Sequence, residues 1–163
     1  MTLAKVLIQI TENMVTTEIE EYIGDIPNPK LKDSQAKLVF SAEDECFFWN
    51  NLTPLSNEEI VLLVNRISKW FCVNSPKISF EGHTYNSAYA TSNLIVLPFP
   101  ISKSVPYICH EISHVINYQI GPADHHGKYF TTTYLEVVKK VLGVSAFREL
   151  KNSFDRFGVK YNQ

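Results

Sequence analysis

Residues 105–130 read VPYICHEISHVINYQIGPADHHGKYF. Within them, His110, Glu111 and His114 form an H-E-x-x-H pentapeptide. Each helical residue advances about 100°, so residues four apart stack almost directly above one another. On a helix, His110 and His114 therefore face the same way and could share one ion. Glu111 is turned about 100° away, beside such an ion and not bound to it. Its carboxylate is placed to take a proton from a water that the ion activates. Ile108, Ile112, Val115 and Ile116 form an apolar back that would pin the helix in a core.

The flanking residues fix the limits of this helix. Ser104 stands as an N-cap, with Val105 and Pro106 in the first turn, where a missing N–H costs nothing. Gly121 and Pro122 stop it near Gln119. A second helix starts near Gly127 and ends at Gly143, and a third covers roughly 145–156. Upstream, Ser56 and Glu59 make a capping box, followed by Ile60, Leu63, Val64, Ile67 and Phe71 at helical spacing. This predicts a packing helix over 57–72. Short β-branched runs predict strands at 3–10, 36–40, 77–82, 84–90 and 93–98, with a polar turn at Thr91–Asn93. Residues 23–34, with Gly24, Pro27 and Pro29, read as a loop. Residues 41–49 open with a serine and early acids, as a short helix would. Together these elements predict an α+β fold with a small, mostly antiparallel sheet packed against the HEISH helix.

A chain of 163 residues suits one domain, here taken as 1–163. Its 45% hydrophobic and 20% charged residues are those of a globular protein. A net charge of -2 gives no broad attraction to nucleic acid or an anionic membrane. Cys46, Cys72 and Cys109 are odd in number and form no C-x-x-C pair, so neither a disulfide framework nor a cysteine zinc knuckle is implied. Reduced thiols in a cytoplasm are the simpler expectation. The apolar run Val6–Ile10 is too short for a signal peptide, and no stretch reaches membrane-spanning length.

A catalytic zinc takes three protein ligands and keeps one position open. The third ligand could come from His126, His125 or Glu136, in that order. An imidazole in the first turn of the second helix can point back across the loop, which favours His126. The pattern with glycine and histidine three and six residues after His114 fails, because Asn117 and Ile120 stand there. A second group usually stabilises the oxyanion of such reactions. His83, Tyr85, Tyr118 and Tyr129 are its candidates. Strand 93–97 offers backbone groups to an extended peptide if it lies at the sheet edge. Its unbroken apolar character suits a core strand equally well.

The run from LP (97–98) through VPYICHEISHVI to HHGKYF and the later Leu142-Gly143 resembles the SprT-like branch of zincins. It looks closer still to small phage-type metallopeptidases carrying an HExxH and a downstream H-G-x-x-F. The likeness covers residues 85–143, with a looser match at Ala42-Glu43. It implies a zincin-like single domain with Zn2+ held by His110, His114 and His126 and Glu111 as acid/base. The implied activity is hydrolysis of a peptide or protein substrate. SprT-like proteases acting on DNA-bound substrates often carry zinc-ribbon or DNA-binding segments. This chain has neither cysteine pairs nor a basic tail, so direct contact with nucleic acid is not expected. A non-catalytic zinc-binding interaction module and a metal hydrolase with a non-peptide substrate are the alternatives.

Overall fold

The computed structural model describes residues 33, 35–81 and 87–162. The strand expected at 3–10 lies outside them, as do the loop before Asp33 and the first residues of the strand expected at 84–90. In chain order the elements are helices α1 (Ala36–Asp44), α2 (Phe47–Asn50) and α3 (Asn57–Trp70), then strands β1 (Lys77–Ser79), β2 (Tyr89–Ala90) and β3 (Leu94–Val96). A 3-10 turn (Ile101–Lys103) leads into α4 (Val105–Ile120), α5 (Lys128–Val141) and α6 (Gly143–Phe157). The class is α+β.

Residues 36–40 form a helix, not the expected strand. AKLVF is too short to show a period by itself. Extended to Cys46, it places Val39, Ala42, Glu43 and Cys46 on one buried face at helical spacing. Asp33 starts this helix by accepting the Ala36 amide at 3.1 Å. The helix expected at 41–49 is the end of α1 and, after a break at Glu45–Cys46, the single turn α2.

Helix α3 follows its sequence signature. Ser56 Oγ accepts the Glu59 amide at 3.2 Å, and Glu59 Oε2 accepts the Ser56 amide at 2.8 Å. Ile60, Val64 and Ile67 are fully buried behind it.

The sheet has the order β1-β3-β2. β2 and β3 form a hairpin through the expected turn, with Ala90 opposite Ile95. β1 pairs with β3 in parallel, Ile78 opposite Ile95, so the sheet is mixed and not mostly antiparallel. β3 is therefore central and cannot serve as an edge. Ile95 and Leu97 are fully buried, as the unbroken apolar run at 94–97 requires. The edge beside the cleft falls to β2.

α4 packs on α5, α5 on α6, and α6 back on α1. Phe130, Tyr134, Leu150 and Phe154 fill the space between them with no exposed surface. Gly121 ends α4 where the Tyr129 ring approaches so closely that an added Cβ would sit 2.4 Å from it. The chain leaves the helix there in extended backbone and enters the loop that leads to His126.

Candidate metal centre

His110 and His114 lie one turn apart on α4 with their Nε2 atoms 3.3 Å apart. His126, two residues before α5, brings its Nε2 to 3.2 Å from that of His110. One ring nitrogen from each histidine lies within 4.8 Å of the other two. All three residues are buried, and so is Glu111. His126 is thus the residue that joins the helical pair. Glu136 is exposed on α5 and points elsewhere. His125 lines the adjacent cavity but does not belong to the triad.

Two carboxylates hold the ring orientation. Glu43 Oε1 lies 2.6 Å from His110 Nδ1, and Asp33 Oδ2 lies 2.6 Å from His126 Nδ1. Each carboxylate is placed to accept from Nδ1–H, which leaves Nε2 as the ring nitrogen aimed inward. His114 Nδ1 is buried without a hydrogen bond. Its ring is held by stacking, 4.2 Å from Phe130 and 5.6 Å from Tyr118. Phe40 stacks on His110 and sets its ring at right angles to His126.

The electrostatics follow from burial. His114 is held well below the usual imidazole range by burial and then by His110 and His126. His126 is lowered by burial, against the hydrogen bond it donates to Asp33. Burial also opposes charge on His110, but Glu43, Glu111 and Asp33 outweigh it and raise the group. Three ring nitrogens converge at these separations in a dry pocket, an arrangement that a cation between them would satisfy. The set is all imidazole, with no thiolate, and it borders a cavity. That donor chemistry fits a divalent metal ion with a position left open.

No family model, curated protein or solved structure matches this chain.

The loop before α5 is built to present His126. Asp124 accepts the amides of Tyr129 at 3.0 Å and Phe130 at 3.4 Å, capping the helix. Asn117 of α4 donates to the same carboxylate at 2.8 Å. Gly127 is needed because a Cβ there would fall 2.1 Å from Asp124 Oδ2. Ala123 and His125 both adopt left-handed backbone, with φ of 53° and 54°. Gln35 donates to the His126 carbonyl at 3.0 Å and accepts the Lys160 amide at 2.6 Å, tying the loop to the C-terminal tail.

Beside the triad lies a cavity of about 700 Å³. Glu111 opens onto it, and burial raises its carboxyl to about 7, with His110 opposing the shift and Glu43 adding to it. Of the expected oxyanion stabilisers, Tyr118 lines the cavity, whereas Tyr129 packs on Gly121. His83 and Tyr85 lie outside the described residues. Tyr107, which sequence reading did not single out, also lines the cavity, one helical turn before Glu111.

Sequence reading quoted Glu43 only within the Ala42-Glu43 likeness and gave it no role at the site, and it did not single out Asp33. An acid on the buried face of a helix over 36–46 would have flagged Glu43, but reading 36–40 as a strand hid it. Cys109, next to His110, is free and buried, and burial pushes its thiol far up. It faces the core and takes no part in the triad. Among the described residues, no helix is long and apolar enough to cross a membrane.

Proposed function

We propose that this protein is a zinc-dependent peptidase of the zincin type, with His110, His114 and His126 as ligands. The observation that carries the reading is Glu111, a buried acid beside a three-imidazole donor set and open to a large cavity. A purely structural metal site closes its fourth position and needs no acid there. Burying a carboxyl with no structural partner is costly, so its position favours a chemical role.

Zinc supplies a Lewis acid that polarises a carbonyl and brings the pKa of a water to about 7. The chain supplies the rest. Glu111 accepts a proton as the water oxygen bonds to the carbonyl carbon. It then returns that proton to the amide nitrogen as the C–N bond breaks, leaving a carboxylic acid and an amine. The hydroxyls of Tyr118 and Tyr107 are the described candidates for stabilising the oxyanion. β2 has β3 on one side and no strand on the other among the described residues, and its residues line the cavity. With all three cysteines unpaired, we place the protein in a reducing cytoplasm.

The test compares wild type with Glu111→Gln on a broad peptide library, with metal content measured on protein purified without a histidine tag. We expect near-stoichiometric zinc in both. Hydrolysis should fall in the variant by about a hundred- to ten-thousand-fold. Zinc should be lost in His114→Ala. A wild type that cuts nothing the variant spares would reduce the claim to metal binding.

A further inference from the structure

One part of the cavity wall is aromatic and apolar. Phe40, Trp49, Leu52, Phe99, Tyr107 and Tyr118 line it, five of them half-buried and Phe40 exposed. Partly exposed rings gathered around one opening mark a surface kept for a ligand, since solvated apolar surface is otherwise unfavourable. Trp49 and Tyr107 meet edge to face at 4.7 Å, making a wall beside the metal ligands. The Trp49 indole N–H donates to the Tyr134 hydroxyl at 2.9 Å, which fixes the ring beside the cavity.

The charges are equally one-sided. No lysine or arginine lines the cavity among the described residues, while Glu43, Asp44 and Glu111 do. Three successive acids at the end of α1 have three different fates. Glu43 turns inward to His110, and Glu45 pairs with Arg156 at 2.6 Å. Asp44 lies between them, exposed at the cavity rim, and its carboxylate has no hydrogen bond or ion pair among the described residues. It is also the last residue of α1, where a negative side chain opposes the helix dipole. The fold gains nothing from an acid at that position, whereas a cationic ligand would.

We propose that the cleft selects peptides carrying a bulky apolar or aromatic side chain, seated against Trp49, Leu52 and Tyr107, with a nearby lysine or arginine read by Asp44. This rests on the peptidase reading and names its substrate class.

The probes are quenched peptides, N-acetylated and C-amidated, in sets that exchange Phe for Ala and Lys for Glu at each position around the scanned bond. Zinc-loaded wild type is assayed for cleavage, and zinc-loaded Glu111→Gln for binding by fluorescence anisotropy. Phe peptides should be favoured over Ala peptides by about tenfold or more. Lys peptides should be favoured over Glu peptides by about three- to fivefold at low salt, with the difference lost at high salt. Asp44→Lys should reverse the Lys-to-Glu ratio and Asp44→Asn should level it, while Trp49→Ala should reduce the Phe-to-Ala ratio. Equal binding of all sets by Glu111→Gln, or a Lys-to-Glu ratio that ignores both Asp44 variants, overturns the proposal. Selective binding without any cleavage by wild type would instead leave the substrate class standing and sink the peptidase reading.

Discussion

At the residue scale the metal site is a problem of aiming three rings. Glu43 holds His110 from a position where its own side chain is 5% exposed, whereas the Asp33 side chain, holding His126, is 28% exposed. Glu43→Gln keeps the volume but gives up the charge that fixes the His110 proton on Nδ1. We expect zinc affinity to fall by about ten- to a hundredfold, with an unchanged circular dichroism spectrum. Asp33→Asn should act in the same direction but less, because solvent screens its carboxylate. Competition with a chromophoric chelator measures both, and a larger loss in Asp33→Asn would refute that ranking. His110, Glu111 and His114 were legible in the sequence because their geometry is local, one helical turn. Glu43 and Asp33 were not, because they stand 67 and 93 residues from the histidines they orient. Only the fold brings them together.

At the scale of elements, two substitutions separate stability from the site. Ser56→Ala removes the capping box of α3, and we expect a cost of about 1 kcal/mol with zinc affinity unchanged, since no residue of α3 reaches the triad. Gly127→Ala forces a methyl group against the Asp124 carboxylate, which also caps α5 and binds Asn117. We expect a loss of about 1–3 kcal/mol, together with weaker zinc binding because His126 rides on the same loop. Urea unfolding and chelator competition on both variants would show it. Intact zinc affinity in Gly127→Ala would mean that the loop re-forms around the methyl group. Elements with strong local signals, α3 and α4, were read with their ends within about two residues. Segment 36–40 was misread because five residues carry no usable period. The parallel pairing of β1 with β3 left no trace in sequence, since register between distant strands is set by packing, not by either strand alone.

For the whole molecule, the candidate metal centre joins parts of the chain that are otherwise held by separate contacts. Glu43 comes from α1, two ligands from α4 and one from the loop leading into α5, which Gln35 ties to the C-terminal tail. A ligand that binds only the folded state stabilises it by mass action, by about 2.7 kcal/mol at a hundredfold excess over its Kd. Added zinc should therefore raise the melting temperature of wild type in a concentration-dependent way, EDTA should reverse the gain, and His126→Ala should show little of it. A melting temperature indifferent to zinc would count against the site as a whole. The α+β class was readable from the mixture of periods along the chain, but the mixed sheet and its central β3 were not. One feature of the interior reaches beyond binding. The two thiols nearest the centre, Cys46 and Cys109, are both buried, with burial pushing Cys46 up to about 12 and Cys109 also up, so neither ionises readily. Peroxide attacks thiolates, and the three candidate ligands are all imidazole nitrogen. If the proposed zinc is bound, peroxide that strips zinc from sulfur-ligated proteins should leave its zinc content unchanged.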